Sequence, residues 1–391
     1  MNRSDGSILV VGGGIFGLTV AIELRRRGRN VSLIDPGPLP HPLASSTDIS
    51  KMIRMDYGSD ELYTAMMEEA FVGWRAWNDE WGEPLYHESG FLILAGGPMQ
   101  SGGFEYESFV LLQARGHPVQ RIDSDQIRRR FPEWVAKTYP DGYFNPVGGY
   151  AESGKVVGKL VGQARRSGVT VAEGVGLRRL LTRGGRVIGI ESTDEVLREA
   201  DIVVVAAGAW TPTLLPHMQG VMQPVGQPVL HFRVDTPEYF RPPRFPPWAA
   251  DISRTGWYGF PAMPDGTLKI ANHGPGRNVR PDDPRAVPPD EENHFRGFLR
   301  SALPALAEAP LIGSRLCLYC DTWDGNFWID HDPDRPGLVV AAGGSGHAFK
   351  FAPILGRLIA DVVERAPNPY ASRFAWRARA ERRTEDARFP G

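Results

Sequence analysis

Cysteine is almost missing from this chain of 391 residues: there are two, Cys317 and Cys320. A disulfide-stapled scaffold is excluded, because such scaffolds are short and cysteine-dense. Lysine is scarce too. Six lysines (Lys51, Lys137, Lys155, Lys159, Lys269 and Lys350) stand among 44 basic residues, so arginine does most of the surface charge work. A lysine kept in such a chain is expected where a compact ammonium serves better than a guanidinium. No charge of one sign dominates. The net charge is −2, which offers no field for nucleic acid. Long apolar runs are missing as well. The uncharged stretch at residues 6–22 is 17 residues and broken by glycine, short of the roughly 20 apolar residues of a transmembrane helix. No membrane association is expected. The same stretch opens straight into a glycine loop without a small-residue cleavage pattern, so a cytoplasmic protein without a secretory leader is expected.

Glycine (45) and proline (34) are plentiful, which implies many tight turns and close backbone approaches. The hydrophobic share of 42% is that of a globular chain, and the length suggests two or three domains at roughly 150 residues each. Residues 7–35 read strand, glycine loop, helix, strand, with Gly28 ending the helix. Helical spacing recurs over 60–81, 153–167 and 354–363, and buried strand runs at 202–205 and 338–340. Residues 85–150 read as short strands and helices, and 220–320 as mostly strand. The charged tail after Pro367 is expected to fray. A nucleotide-type βαβ unit at the start, its continuation near 150–210 and its return at 335–365 predict an α/β fold of two domains. In it, a discontinuous Rossmann-like domain carries an inserted antiparallel-sheet domain. The boundaries are expected at 1–84, 150–218 and 322–391 for the first, and 85–149 and 219–321 for the second.

Four segments bear on chemistry. The first is Gly12-Gly-Gly14-Ile15-Phe16-Gly17, which follows a strand and opens a helix, with Asp35 at the end of the next strand. Glycines let the backbone approach a pyrophosphate, the helix N-terminus offers free N–H groups, and the acid holds ribose hydroxyls. The second is the polar segment 44–57, with Ser46, Thr47, Lys51 and Arg54; Arg54 suits a carboxylate or a plain surface position. The third is Gly343-Gly-Ser-Gly346-His347-Ala348-Phe349-Lys350-Phe351, a glycine turn before a helix that either binds an anion or simply turns. The fourth is Arg315-Leu-Cys317-Leu-Tyr319-Cys320 and the run to Asp330. Zinc normally needs four ligands, and a thioredoxin-type pair sits at a helix start, whereas this stretch is strand-like. From the residues alone, two buried cysteines is the leading reading.

Taken together and in this order, the four segments resemble the monomeric sarcosine oxidase family of flavoproteins. That family includes N-methyltryptophan oxidase and, more distantly, the fructosyl amino acid oxidases. The resemblance implies FAD, attached covalently through Cys317. It implies Lys269 as the oxygen-activating lysine, with His273 and Tyr258 as active-site partners. It implies Arg54 and Lys350 as the substrate-carboxylate pair and Asp35 as the ribose acid. Leu177 matches the position meeting the adenine, and Gly346, His347, Ala348 and Phe349 the backbone facing the flavin. Cys320 falls where the family needs no cysteine. The chain departs from the sarcosine oxidases at Lys51, where they have Arg, and at Ser46 and Thr47, which replace a histidine pair. Trp257, Trp323 and Trp328 suggest a substrate bulkier than sarcosine.

The expected function is therefore oxidation of the C–N bond of a secondary (N-alkyl or cyclic) amino acid to an imine, with O2 becoming hydrogen peroxide. The chain is expected to act as a monomer, with no metal. The rivals are a deglycating fructosyl amino acid oxidase, a nicotinamide-dependent dehydrogenase using the same glycine loop, and a non-enzymatic flavin protein with a Cys317–Cys320 disulfide.

Overall fold

The computed structural model describes residues 6–391. Its first layer is a six-stranded sheet in the order 328–331, 338–342, 202–205, 7–11, 30–35, 170–173. Every neighbouring pair is parallel except the edge pair of Trp328–His331 with Leu338–Ala342. Its central strands read as unbroken apolar runs because both faces are covered, the condition under which parallel sheets occur. Val10, Val204 and Val339 stand in register and are buried.

Helices Ile15–Arg26 and Ala352–Val363 pack on this sheet. They touch backbone to backbone: a Cβ on Gly356 would lie 2.5 Å from the Thr19 carbonyl oxygen. Helix Glu61–Trp81 starts at Asp60, whose side chain accepts from the Tyr63 N–H at 3.1 Å, and stops at Gly82 in the left-handed region. Its stripe of Met66, Ala70 and Trp74 faces inward, and Trp74 donates from Nε1 to the Lys350 carbonyl at 2.7 Å.

The second layer is a nine-stranded, mostly antiparallel sheet. Strand Phe91–Ala95 from one insertion pairs in parallel with Trp248–Ala250 from the other, with Leu92 opposite Trp248, so the two insertions build a single sheet. Its long strands Met222–Arg233 and Leu311–Thr322 run antiparallel with Gln227 opposite Cys317. A small sheet of Lys51–Ile53, Gly149–Ala151 and Tyr86–His87 sits where the chain passes between the two larger sheets.

Two expectations need correction. The block 220–320 also holds the helix Pro289–Ala302, whose Phe295, Phe298, Leu299 and Ala302 are buried at helical spacing. The tail beyond Pro367 is packed rather than frayed. It forms a turn of helix at Ala371–Phe374, and then Arg377 makes two 2.7 Å bonds to Asp324 while Arg388 reaches Asp321 at 2.5 Å, both partners only 3% exposed. Charge made this segment look solvated, yet Arg377 and Arg388 find carboxylates on the body, Asp324 partly and Asp321 fully buried.

Because the helix pair closes over a bare glycine, Gly356→Ala should destabilise the protein by about 1–3 kcal/mol. Chemical denaturation of wild type and variant checks this.

Candidate active site

A single cavity of about 530 Å³ runs from the glycine loop at residues 12–16 across the junction of the two sheets to Arg54, Lys350 and His273. That volume is in the range of cofactor and ligand sites. At its first end the chain is shaped for close approach. Gly12 has φ +107°, and a Cβ there would lie 2.6 Å from the Ala206 carbonyl oxygen. Gly14 is the N-cap of the first helix and has no side-chain cap, so the N–H groups of that turn remain available. Asp35 is 6% exposed and is oriented by two backbone donors, Gly13 N–H at 2.7 Å and Gly37 N–H at 3.0 Å. Each of its oxygens keeps a second lone pair for a hydroxyl.

In the middle, strand Leu311–Thr322 presents Cys317 to the cavity, beside Val229, Ala271 and Tyr258. Lys51 Nζ lies 3.9 Å from its Sγ. Cys320 is three residues along, where the pleat reverses the side-chain direction. It packs into the core beneath the parallel sheet, with Met222 Sδ 3.6 Å away, and burial raises its thiol to about 12. Both cysteines are free thiols. Thiols three residues apart on one extended strand, on opposite faces, are beyond disulfide reach, so the disulfide alternative does not hold.

Lys269 rises from strand Thr267–Asn272, 1% exposed. Its Nζ donates to Asp48 Oδ2 at 2.7 Å and to the Ser50 carbonyl at 2.6 Å, and sits 4.5 Å from the Phe260 ring centroid. Burial lowers its pKa to about 8, against the opposing pull of Asp48 and with help from Lys51. Burial would raise Asp48, but the charges of Lys269, Lys51 and Arg315 outweigh it and hold the carboxyl well below its ordinary range.

At the far end, Arg54 and Lys350 flank one ring: their charges lie 5.2 and 4.9 Å from the Tyr57 centroid. Lys350 Nζ donates to Tyr57 Oη at 2.9 Å, and burial depresses its pKa well below normal. Tyr57 Oη lies 3.0 Å from His347 Nδ1, and His347 Nε2 lies 3.0 Å from the Gly325 carbonyl. A carbonyl can only accept, so Nε2 carries the proton and Nδ1 accepts from Tyr57. Burial lowers His347 to about 4, so the ring is neutral. His273 Nδ1 lies 3.2 Å from Tyr319 Oη. The turn that delivers His347 is tightly built: Gly346 has φ +80°, and a Cβ there would strike the Tyr319 ring at 2.3 Å.

Of the residues expected from sequence, Gly12, Gly14, Ile15, Phe16, Asp35, Ser46, Lys51, Arg54 and Leu177 line this cavity. So do Tyr258, Lys269, His273, Cys317 and the run Gly346, His347, Ala348, Phe349, Lys350. Gly17 and Thr47 do not. Gly17 instead lets the helix close on its own loop, since a Cβ would lie 1.8 Å from the Gly12 carbonyl oxygen. Thr47 gives its carbonyl to Arg315 at 2.6 Å. The three tryptophans are also elsewhere. Trp257 stacks on Phe298 at 4.4 Å, Trp328 packs edge-on to Trp376, and Trp323 lies 5.8 Å from Arg377, so they say nothing about substrate size. Asp48, Tyr57, Tyr319 and Glu385 are site residues that sequence reasoning did not single out. Asp48 and Tyr57 stood inside the polar segment 44–57 and Tyr319 inside the cysteine segment, without being singled out; Glu385 had no local signal.

The profile of the family described as FAD dependent oxidoreductase matches residues 7–362. The chain belongs to this family. It is 28% identical over 371 residues to the monomeric sarcosine oxidase of Bacillus sp. (strain B-0618), covering 91% of each chain. It is 29% identical over 364 residues to the N-methyl-L-tryptophan oxidase of Salmonella dublin, covering 90% of this chain and 93% of that one. Among solved structures, the deglycating fructosamine oxidase of Aspergillus fumigatus (Amadoriase II) superposes with a TM-score of 0.84 at 25% identity, covering 100% of this chain and 95% of that one. Membership of an FAD-dependent family displaces the nicotinamide reading of the glycine loop. The cavity suits FAD, with bare backbone at Gly12, an uncapped helix N-terminus and, in Asp35, a buried carboxylate oriented by two backbone donors.

Asp35→Ala should leave the fold intact but yield protein with substoichiometric FAD, read as a fall in the ratio of visible flavin absorption to absorption at 280 nm. Full flavin content in this variant would contradict the assignment.

Proposed function

We propose that this FAD-dependent protein is an oxidase of secondary amino acids, converting the C–N bond to an imine and O2 to hydrogen peroxide. The observation that carries the reading is the placement of Lys269, Arg54 and Lys350 around one cavity that continues to the glycine loop. The relatives named sarcosine oxidase and N-methyl-L-tryptophan oxidase support it. Bound FAD supplies the two-electron acceptor. The protein supplies position and charge.

In this reading Arg54 and Lys350 anchor the substrate carboxylate, as cations suited to charge-assisted bonds. Tyr57 spaces the two cations. His347 is held neutral, so its backbone turn, rather than its ring charge, faces the cofactor. Lys269 supplies a fixed cation for the negative charge that develops as O2 is reduced, in a dry site where such charge counts most. Asp48 keeps that lysine protonated near neutral pH despite its burial. Cys317 is the proposed covalent attachment point for FAD, and Leu177 with Asp35 holds the adenosine end. The catalytic domain is proposed to comprise 85–149 and 219–321, with the remainder binding FAD. The unbridged thiols fit a reducing compartment, the cytoplasm, and we read the protein as a monomer.

The likeness to the fructosamine oxidase fold favours one second reading, a deglycating oxidase. Peroxide release from N-methyl and cyclic amino acids, measured beside fructosyl amino acids, decides between them.

Lys269→Met should slow reoxidation by O2 about 10²–10³-fold, with anaerobic reduction by substrate much less affected. In the wild type, reoxidation should fall as pH rises through about 8, because the lysine's charged form is lost there. Asp48→Asn removes the carboxylate that favours the charged form, so the fall should move to lower pH. Stopped-flow oxidation across pH checks both.

Acid precipitation of the wild type should leave flavin on the peptide containing Cys317, seen by mass spectrometry. Cys317→Ser should release all of it.

A further inference from the structure

The packed C-terminal segment brings a carboxylate into the substrate end of the cavity. Glu385 lies between the Arg377–Asp324 and Arg388–Asp321 anchors, and the Phe389 N–H bonds to the His273 carbonyl at 3.1 Å. Its side chain is 9% exposed and lines the cavity. Oε1 receives His273 Nε2 at 2.5 Å and lies 3.9 Å from Arg54 Nη2. Oε2 has no hydrogen-bond partner. The nearest candidate is His347 Nδ1 at 3.7 Å. That nitrogen already accepts from Tyr57, because Nε2 is committed to Gly325. Two acceptors face each other there, and His347 gives Oε2 nothing.

A buried carboxylate oxygen without a donor is costly. Burial alone would neutralise Glu385, but the hydrogen bond from His273 Nε2–H and the charge of Arg54 beside it oppose this and hold the carboxyl below its ordinary range. The oxygen therefore awaits an N–H from a ligand. Arg54 stands beside it and is the expected receiver of the substrate carboxylate. In an α-amino acid one carbon separates ammonium from carboxylate, so an adjacent anion and cation match both charges of that head.

We infer that Glu385 Oε2 receives the substrate's ammonium, so that Glu385 and Arg54 together read a zwitterionic head. Glu385 is thus a specificity-determining residue, selecting amino acids over carboxylates that lack the amine. This rests on the secondary-amino-acid reading above. It also gives His273 a fixed orientation, with Nε2–H toward Glu385 and Nδ1 toward Tyr319.

The test compares two ligands in holoenzyme. One is the N-methyl amino acid that reduces the wild-type flavin best, its Kd taken from anaerobic reduction kinetics. The other is propionate, which has the carboxylate alone, its Kd taken from perturbation of the flavin spectrum. In Glu385→Gln the amino acid should bind about tenfold more weakly or worse, while propionate binds unchanged or tighter, since a negative charge beside Arg54 is gone. Glu385→Asp, which keeps the charge, should recover part of the preference. Equal weakening of both ligands would mark Glu385 as merely structural, and equal tightening would mark it as a competitor for Arg54. Either result overturns the inference, as does no change in either. If no secondary amino acid reduces the wild-type flavin, the oxidase reading falls instead, and that is seen before any variant is made.

Discussion

Lys269 and Asp48 meet in the dry middle of the molecule, and much of the architecture follows from that contact. The lysine comes from the nine-stranded sheet and the aspartate from the loop after the first βαβ unit, so a single ion pair spans the two layers. Neither group can be left alone there. Breaking a buried pair typically costs about 3–5 kcal/mol, because it strands an uncompensated charge. The surroundings bear this out: Lys51 and Arg315 also reach Asp48, at 3.4 and 3.8 Å, and the Ser50 carbonyl takes a second proton of Lys269. The loop at 44–53 is thereby fixed, and with it the positions of Lys51 beside Cys317 and of Arg54 at the next turn of chain.

The same demand for balance shapes the far end of the cavity. Lys350, Tyr57, His347 and the Gly325 carbonyl form a chain in which each group's role is set by the next. Because the last member can only accept, the imidazole tautomer is fixed without any charge on the ring. A second chain runs from Tyr319 through His273 to Glu385 and is fixed the same way, by a terminal group that accepts only. Two neutral imidazoles, each locked in orientation, leave Arg54 and Lys350 as the basic side chains of this region, with burial working against the ammonium form of Lys350.

The glycine loop, its strand and helix, Asp35 and the turn at 343–346 were legible in the sequence because their requirements are local. A left-handed backbone or a Cβ clash selects glycine wherever it occurs, and apolar runs mark strands buried on both faces. The partnership of Arg54 with Lys350 was not local; it rested on resemblance. The tail was misread for a physical reason: a run of arginines and acids looks solvated until its partners are known, and Asp321 and Asp324 lie more than 50 residues away in sequence. The tryptophans were misread by the converse error. Aromatic side chains fill cores as readily as they line pockets, and nothing in their spacing distinguishes the two. Asp48 sits in an aperiodic loop and shows its importance only once Lys269 is placed above it.

The scarcity of lysine has a structural counterpart. In a chain that uses arginine for most of its positive charge, the two lysines that are fully buried are Lys269 and Lys350, both in the cavity. Arginine would not replace them. Its guanidinium presents five donors that a narrow, dry site would have to satisfy, and it stays charged at any accessible pH. An ammonium makes three bonds at most and can lose its proton. Lys269 uses two of them on Asp48 and the Ser50 carbonyl, and its pKa of about 8 leaves it charged at neutral pH yet close to titration. A compact cation whose charge can be tuned by a neighbouring carboxylate is what the site's geometry requires, and it explains why lysine persists here while it is nearly absent elsewhere.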